Sequence, residues 1–165
     1  MRHLIQFAQQ RVYPASCLGP NRGKAIPAEI NHLQVILTTV QEAQSGRPHQ
    51  PVPDFEWTTT LVYDSSWNAA GSTGATTFMG YAEVKRYSKI YAAQKLYASL
   101  MDRNLEIRQQ LYVFRARMGS GDKLSDSEYE GGKRTIESAI VAEKSLREID
   151  EYLKGAYTEL LSQGN

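Results

Sequence analysis

The stretch YAEVKRYSKIYAAQKLYASLMDRNLEIRQQLYVFRAR, Tyr81 to Arg117, is followed by the short run Gly119-Ser120-Gly121-Asp122-Lys123 and then by Ser125 to Gln163. The first segment contains no proline and holds eight Lys/Arg against three Asp/Glu. The third reverses the balance, with five Lys/Arg against nine Asp/Glu. Two long helices of opposite charge, joined by a glycine-rich turn, are the expected outcome, and so short a turn makes them antiparallel neighbours. The predicted fold class is therefore mainly α: a helical bundle built on a long antiparallel hairpin, 81–118 and 125–163.

Periodicity supports each rod. Val84, Tyr87, Tyr91, Gln94, Ala98, Met101 and Leu105 alternate by three and four, a seam of coiled-coil type with one polar position. Ile107, Leu111, Phe114 and Met118 continue an apolar stripe after a phase drift. In the last segment Ala142, Leu146, Ile149, Leu153, Ala156 and Leu160 repeat the alternation. Ser125-x-x-Glu128 is a capping-box pattern, and Asp126, Glu128 and Glu130 sit where the helix dipole favours anions. Gly131-Gly132 weakens the first turns by about 1 kcal/mol each, so the regular helix is expected to begin at Lys133.

Working outward, Leu4, Ile5, Ala8 and Val12 fall at helical spacing before Pro14. Residues 14–26 have loop composition. Pro27 suits the first turn of a further helix, Pro27 to Ser45, in which Ile30, Leu33, Ile36, Leu37 and Val40 form an apolar stripe and Gly46 is the stop. Pro48, Pro51 and Pro53 make a stiff linker. Phe55, Trp57, Leu61 and Tyr63 then share one side of an extended chain. One strand cannot form a sheet, so residues 54–76 are expected as an irregular aromatic arm. Asp64, Ser65 or Ser66 can cap a short helix carrying Trp67, Ala69 and Ala70, closed by Gly71 or Gly74. The whole chain, 1–165, is expected as one domain. It comprises N-terminal helices and a proline-rich linker (1–53), arm and turn (54–80), and the hairpin (81–163).

Composition narrows the function. A domain of 165 residues buries roughly 70% of its unfolded surface. A net charge of +1 gives no global field for nucleic acid or an anionic membrane. Lys85, Arg86, Lys89, Lys95, Arg103, Arg108, Arg115 and Arg117 do not lie on one stripe. Interhelix ion pairs and a solvated face explain them better than a nucleic-acid backbone does. Cys17 alone cannot form an internal disulfide, and no Cys/His cluster suggests a metal. No run approaches the roughly 20 apolar residues of a membrane span, so the chain itself is not expected to insert into a membrane.

The catalytic inventory is thin. His3, His32 and His49 have no carboxylate or nucleophile at a suggestive spacing, and Glu29 with His32 reads as a surface pair. No catalytic residue, metal or cofactor is assigned, and an enzyme is not expected. Two ligand features remain. Gly71-Ser72-Thr73-Gly74-Ala75-Thr76-Thr77 can present N–H groups to an anion at Thr73 and Gly74, although it has neither the lysine nor the spacing of a P-loop. A helix end and tight turn is the favoured explanation of those glycines. Trp57, Trp67 and Tyr81, with Tyr87, Tyr91 and Tyr97, can line an aromatic pocket. Burial of tyrosine rings with hydroxyls at the edge is the favoured alternative.

The stretch WNAAGSTGATTFMGYAEVKRYSKIYAAQ, Trp67 to Gln94, resembles a family of uncharacterised bacterial proteins. Its pattern is a tryptophan, an alanine-rich turn of helix, Thr-Gly-Ala, then Tyr-x-x-Val and a helix with Tyr and Gln, and Trp57 upstream fits as well. Members typically carry one transmembrane helix near the N-terminus followed by a soluble helical region. The resemblance implies that this chain is the soluble part of an anchored protein, with Met1 a later start, on the extracytoplasmic side of a bacterial inner membrane. It implies no activity. The expected role is a non-enzymatic interaction or sensory module with a protein partner or self-association, the alternative being a bundle that binds a small ligand.

Overall fold

The computed structural model describes residues 22–48, 50–52, 65–120 and 123–162. Among them are four α-helices: α1 (Arg22–Gln44), α2 (Ser65–Ser72), α3 (Tyr81–Gly119) and α4 (Asp126–Ser162), with a short 3-10 helix, Ala75–Phe78, between α2 and α3. No strand occurs among the described residues. The fold is mainly α, a helical bundle on a long hairpin. The expected N-terminal helix at 2–12, Cys17 and the extended stretch 54–64 with Trp57 lie outside the described residues.

The residues group into two compact units, and α3 and α4 each supply part of both. One unit draws on 65–99 and 148–162; the other draws on 23–52, 100–120 and 123–147.

In the second unit three helices share one core. Leu33, Ile36 and Val40 of α1 meet Leu111 of α3 and Ile136 and Ala139 of α4. Fully burying one Leu or Ile side chain contributes about 1.5–3 kcal/mol, so this cluster holds α1 on the hairpin. The start of α1 differs from expectation. The helix begins at Arg22, and Pro27 lies inside it. Pro27 has no N–H to donate to the Gly23 carbonyl, so the helix forgoes that one hydrogen bond. Gly46 stops α1 as the sequence suggests. Its φ is +68°, Gly46 N–H reaches Ala43 O at 3.0 Å and Arg47 N–H reaches Glu42 O at 3.0 Å, which is the paired bonding of a Schellman motif.

The start of α4 corrects a second expectation. The helix runs through Gly131-Gly132 from Asp126. Ser125 N–H donates to Glu128 Oε2 at 2.8 Å and Glu128 N–H to Ser125 Oγ at 3.3 Å, so the capping box forms. Gly132 is buried beneath the Phe114 ring, and a Cβ at position 132 would collide with that ring. The local cost of the glycine is offset by a close α3–α4 approach that only glycine permits.

The seams are in a different phase from the expected ones. On α3 the buried positions are Tyr87, Ile90, Gln94, Tyr97, Met101, Asn104, Arg108 and Leu111, stepping by three and four without a break. Tyr87, Gln94, Met101 and Leu111 are buried as expected, whereas Val84, Tyr91, Ala98, Ile107, Phe114 and Met118 are half-buried and Leu105 is 41% exposed. On α4 the buried row is Gly132, Ile136, Ala139, Glu143, Leu146, Asp150, Leu153 and Tyr157. Ala142, Leu146 and Leu153 are buried as expected; Ile149, Ala156 and Leu160 are half-buried. The expected single polar seam position is in fact three on α3 (Gln94, Asn104, Arg108) and two on α4 (Glu143, Asp150).

Candidate functional site

The residues singled out as ligand-binding lie in the unit formed by 65–99 and 148–162, where they are described. Trp57 lies outside the described residues, and so does the side chain of Trp67, whose backbone is in α2. Thr73 is exposed; its N–H donates to Ala69 O at 3.0 Å and its hydroxyl to the same oxygen at 2.8 Å. Gly74 adopts φ +70° and donates its N–H to Gly71 O at 3.2 Å. These bonds close α2 and open the 3-10 helix, so both N–H groups are engaged within the chain. Tyr81, the first residue of α3, is 81% exposed. Thr73 and Gly74 form one turn, and neither they nor Tyr81 line three of the clefts among the described residues. Tyr87, by contrast, is buried, and burial together with nearby Glu83 pushes its phenol above the usual value.

The densest polar chemistry belongs to the other unit, at the middle of the seams. Glu143 on α4 has no solvent exposure. Its Oε1 accepts from Asn104 Nδ2 at 2.6 Å and from Arg108 Nη2 at 2.6 Å. The same guanidinium nitrogen lies 3.7 Å from Glu29 Oε2 on α1. Glu29 and His32 were expected as a surface pair. Instead the Glu29 side chain is only 11% exposed, against Arg108, and His32 is half-buried. Removing the two charges from water costs several kcal/mol per ion, which the short contacts roughly balance. The layer thus adds little net stability but fixes which turn of α3 meets which turn of α4. Its carboxylates do not open into the three clefts. Among the described residues no group of three His, Cys, Asp or Glu is placed to hold a metal.

At the hairpin end, Arg117 Nη2 donates to Glu128 Oε1 at 3.0 Å, and Gln44 Nε2 at the end of α1 donates to Glu130 Oε1 at 3.2 Å. Glu130 is held below the usual carboxylate range by hydrogen bonds from Lys133 and then Gln44. Both pairs are exposed, so water and salt screen them.

The same unit leaves an apolar row on the outside of α3. Tyr112 is 66% exposed and Val113 63%, with Leu105 one heptad before Tyr112 at 41%. Gln109 and Ala116, also exposed, complete the row. The phase of the seam exposes this row: the polar Asn104 and Arg108 occupy the inward positions, which turns Leu105 outward.

The fold and these features define a helical bundle with buried polar side chains in its seams and, among its exposed apolar residues, a row on the outside of α3. Comparison of the chain with protein-family models, with curated proteins and with solved structures finds no match. Among the described residues no helix is long and apolar enough to cross a membrane.

Proposed function

We propose that this chain is a non-enzymatic helical interaction module that associates with a second copy of itself. The exposed row on α3 is the observation that supports the reading most. Leu105, Gln109, Tyr112 and Ala116 recur at steps of four, three and four, the spacing of a second coiled-coil seam, and among the described residues these four side chains are exposed. Leu105, Tyr112 and Val113 group exposed apolar side chains on one stretch of α3, and grouped exposure of this kind favours association.

The row is self-complementary about a twofold axis between Gln109 and Tyr112. In an antiparallel pair Leu105 meets Ala116 of the partner subunit, large against small. Gln109 meets Tyr112 of the partner subunit, amide against hydroxyl. The formal charge of +1 does little to oppose the approach of like chains. The family resemblance supplies a setting, the soluble part of a membrane-anchored bacterial protein.

Sedimentation across a concentration series tests this. The chain is expected to shift from monomer to dimer, and Val113→Glu to hold it as a monomer with an unchanged helical circular dichroism spectrum. A strict monomer at every concentration, or a dimer indifferent to Val113→Glu and Tyr112→Ser, would end the reading.

A further inference from the structure

Between α3 and α4, in the unit formed by 65–99 and 148–162, lies a cleft of about 520 Å³. Lys85, Arg86 and Lys89 line one wall with Ala82 and Ile90; Gly155 and Ala156 form the other wall, flanked by Glu151, Tyr152 and Glu159. Three observations about it are unexplained by folding alone.

The first is the cations. Lys85, Arg86 and Lys89 crowd like charge onto adjacent turns of α3, and Lys85 and Lys89 stand four apart, a spacing at which equal charges destabilise a helix. No hydrogen bond or ion pair links any of the three to another described residue. The second is Gly155. It is in the interior of α4, where glycine is a poor helix former, and a Cβ there would meet nothing within 4 Å. Gly132 is required by the Phe114 ring; Gly155 has no such neighbour. What its missing side chain does is keep the cleft open opposite the cations. The third is the lining. Ile90 and Ala156 are apolar, Tyr152 is 51% exposed at the edge, and Glu151 and Glu159 place acceptors on the α4 side.

We propose that this cleft binds a small phosphate monoester with a ring and hydroxyl groups. The phosphate sits among Lys85, Arg86 and Lys89, where charge-assisted hydrogen bonds are strongest. The body of the ligand lies on Ile90, Gly155 and Ala156 with its ring against Tyr152, and its hydroxyls donate to Glu151 or Glu159. The volume is within the range of small-molecule sites, about 300–1,000 Å³. The acids on the far wall disfavour a bare polyanion, because each additional negative charge would face a carboxylate.

Titration calorimetry on the full chain, with adenosine monophosphate as the probe, tests the site. Adenosine monophosphate is expected to bind more tightly than adenosine or inorganic phosphate by about tenfold or more, with affinity falling as salt rises. Lys85→Glu with Lys89→Glu, and separately Gly155→Leu, are each expected to weaken it by about tenfold while helical content stays unchanged. Val113→Glu, in the other unit, leaves binding as it is, so the outcome here is separate from that for self-association. Vesicles containing phosphatidic acid serve as the lipid arm. Binding to vesicles that adenosine monophosphate does not compete away, equal affinity for adenosine, or indifference to Gly155→Leu would each overturn the proposal.

Discussion

Arg108 Nη2 and Glu143 Oε1 lie 2.6 Å apart on facing helices, with side-chain exposures of 6% and 0%. A buried pair of this kind is sensitive to the loss of one member and tolerant of the loss of both. Glu143→Ala is expected to destabilise the fold by about 3–5 kcal/mol, because it removes the shorter of the two buried carboxylate contacts of Arg108 and leaves Glu29 at 3.7 Å as the remaining one. Arg108→Met combined with Glu143→Leu is expected to cost clearly less than the sum of the single changes. Urea unfolding of the four species, as a double-mutant cycle, measures the difference.

Gly132 and Phe114 make a second pairwise prediction. A methyl group at 132 would overlap the ring, so Gly132→Ala is expected to destabilise by about 1–3 kcal/mol despite its better helix propensity. Phe114→Leu in the same chain should recover part of that loss. Thermal melts of the single and double variants decide it, and a stabilised Gly132→Ala would show that the ring moves aside freely.

Glu128 carries a pH dependence. The Ser125 backbone N–H, then Arg117 and the Ser125 hydroxyl, hold its carboxyl from the usual 4.5 down to about 2. Its folded pKa is below its unfolded one, so the unfolded chain takes up the proton first as pH falls. The contribution is complete above about 4.5 and is lost as pH drops toward 2. Melting temperature recorded down through that window should fall less steeply for Glu128→Gln than for the parent chain.

Gly46 holds φ +68° at the end of α1 with open space around it. Gly46→Ala is expected to cost about 1 kcal/mol from the left-handed backbone alone, and Gly46→Asn less. Chemical denaturation is sufficient to separate the two.

Much of this architecture is legible in the residues themselves. Ile30, Leu33, Ile36 and Val40 announce the face of α1, Gly46 its end, and Ser125 with Glu128 the start of α4. The Thr73-Gly74 turn is equally local, since the bonds that close it reach back no further than Ala69. The seam of α3 is misread by one row for a definite reason. Apolar periodicity favours Leu105 over Asn104 and Arg108, because a polar side chain is costly to bury without a partner. Here the partner is Glu143, 39 and 35 residues away, and no local pattern records that.

The candidate cleft was hidden in the same way. Lys85, Arg86 and Lys89 read as ion-paired or solvated charge along α3, and Gly155 lies within α4 with no role that the sequence assigns. The only sequence signal was that glycine, standing in an otherwise clean helical stripe beside Ala156. Nothing in the spacing places it across from the cations.

The chain by itself determined where helices form and stop, because caps, glycines and apolar spacing act over a few residues. It also determined that the acidic rod returns along the basic one, because the loop between them is short. Tertiary structure alone decided which faces meet. That choice rests on Arg108 finding Glu143 and on the Phe114 ring finding Gly132, contacts between residues far apart in the chain whose energies exist only once both helices are in place.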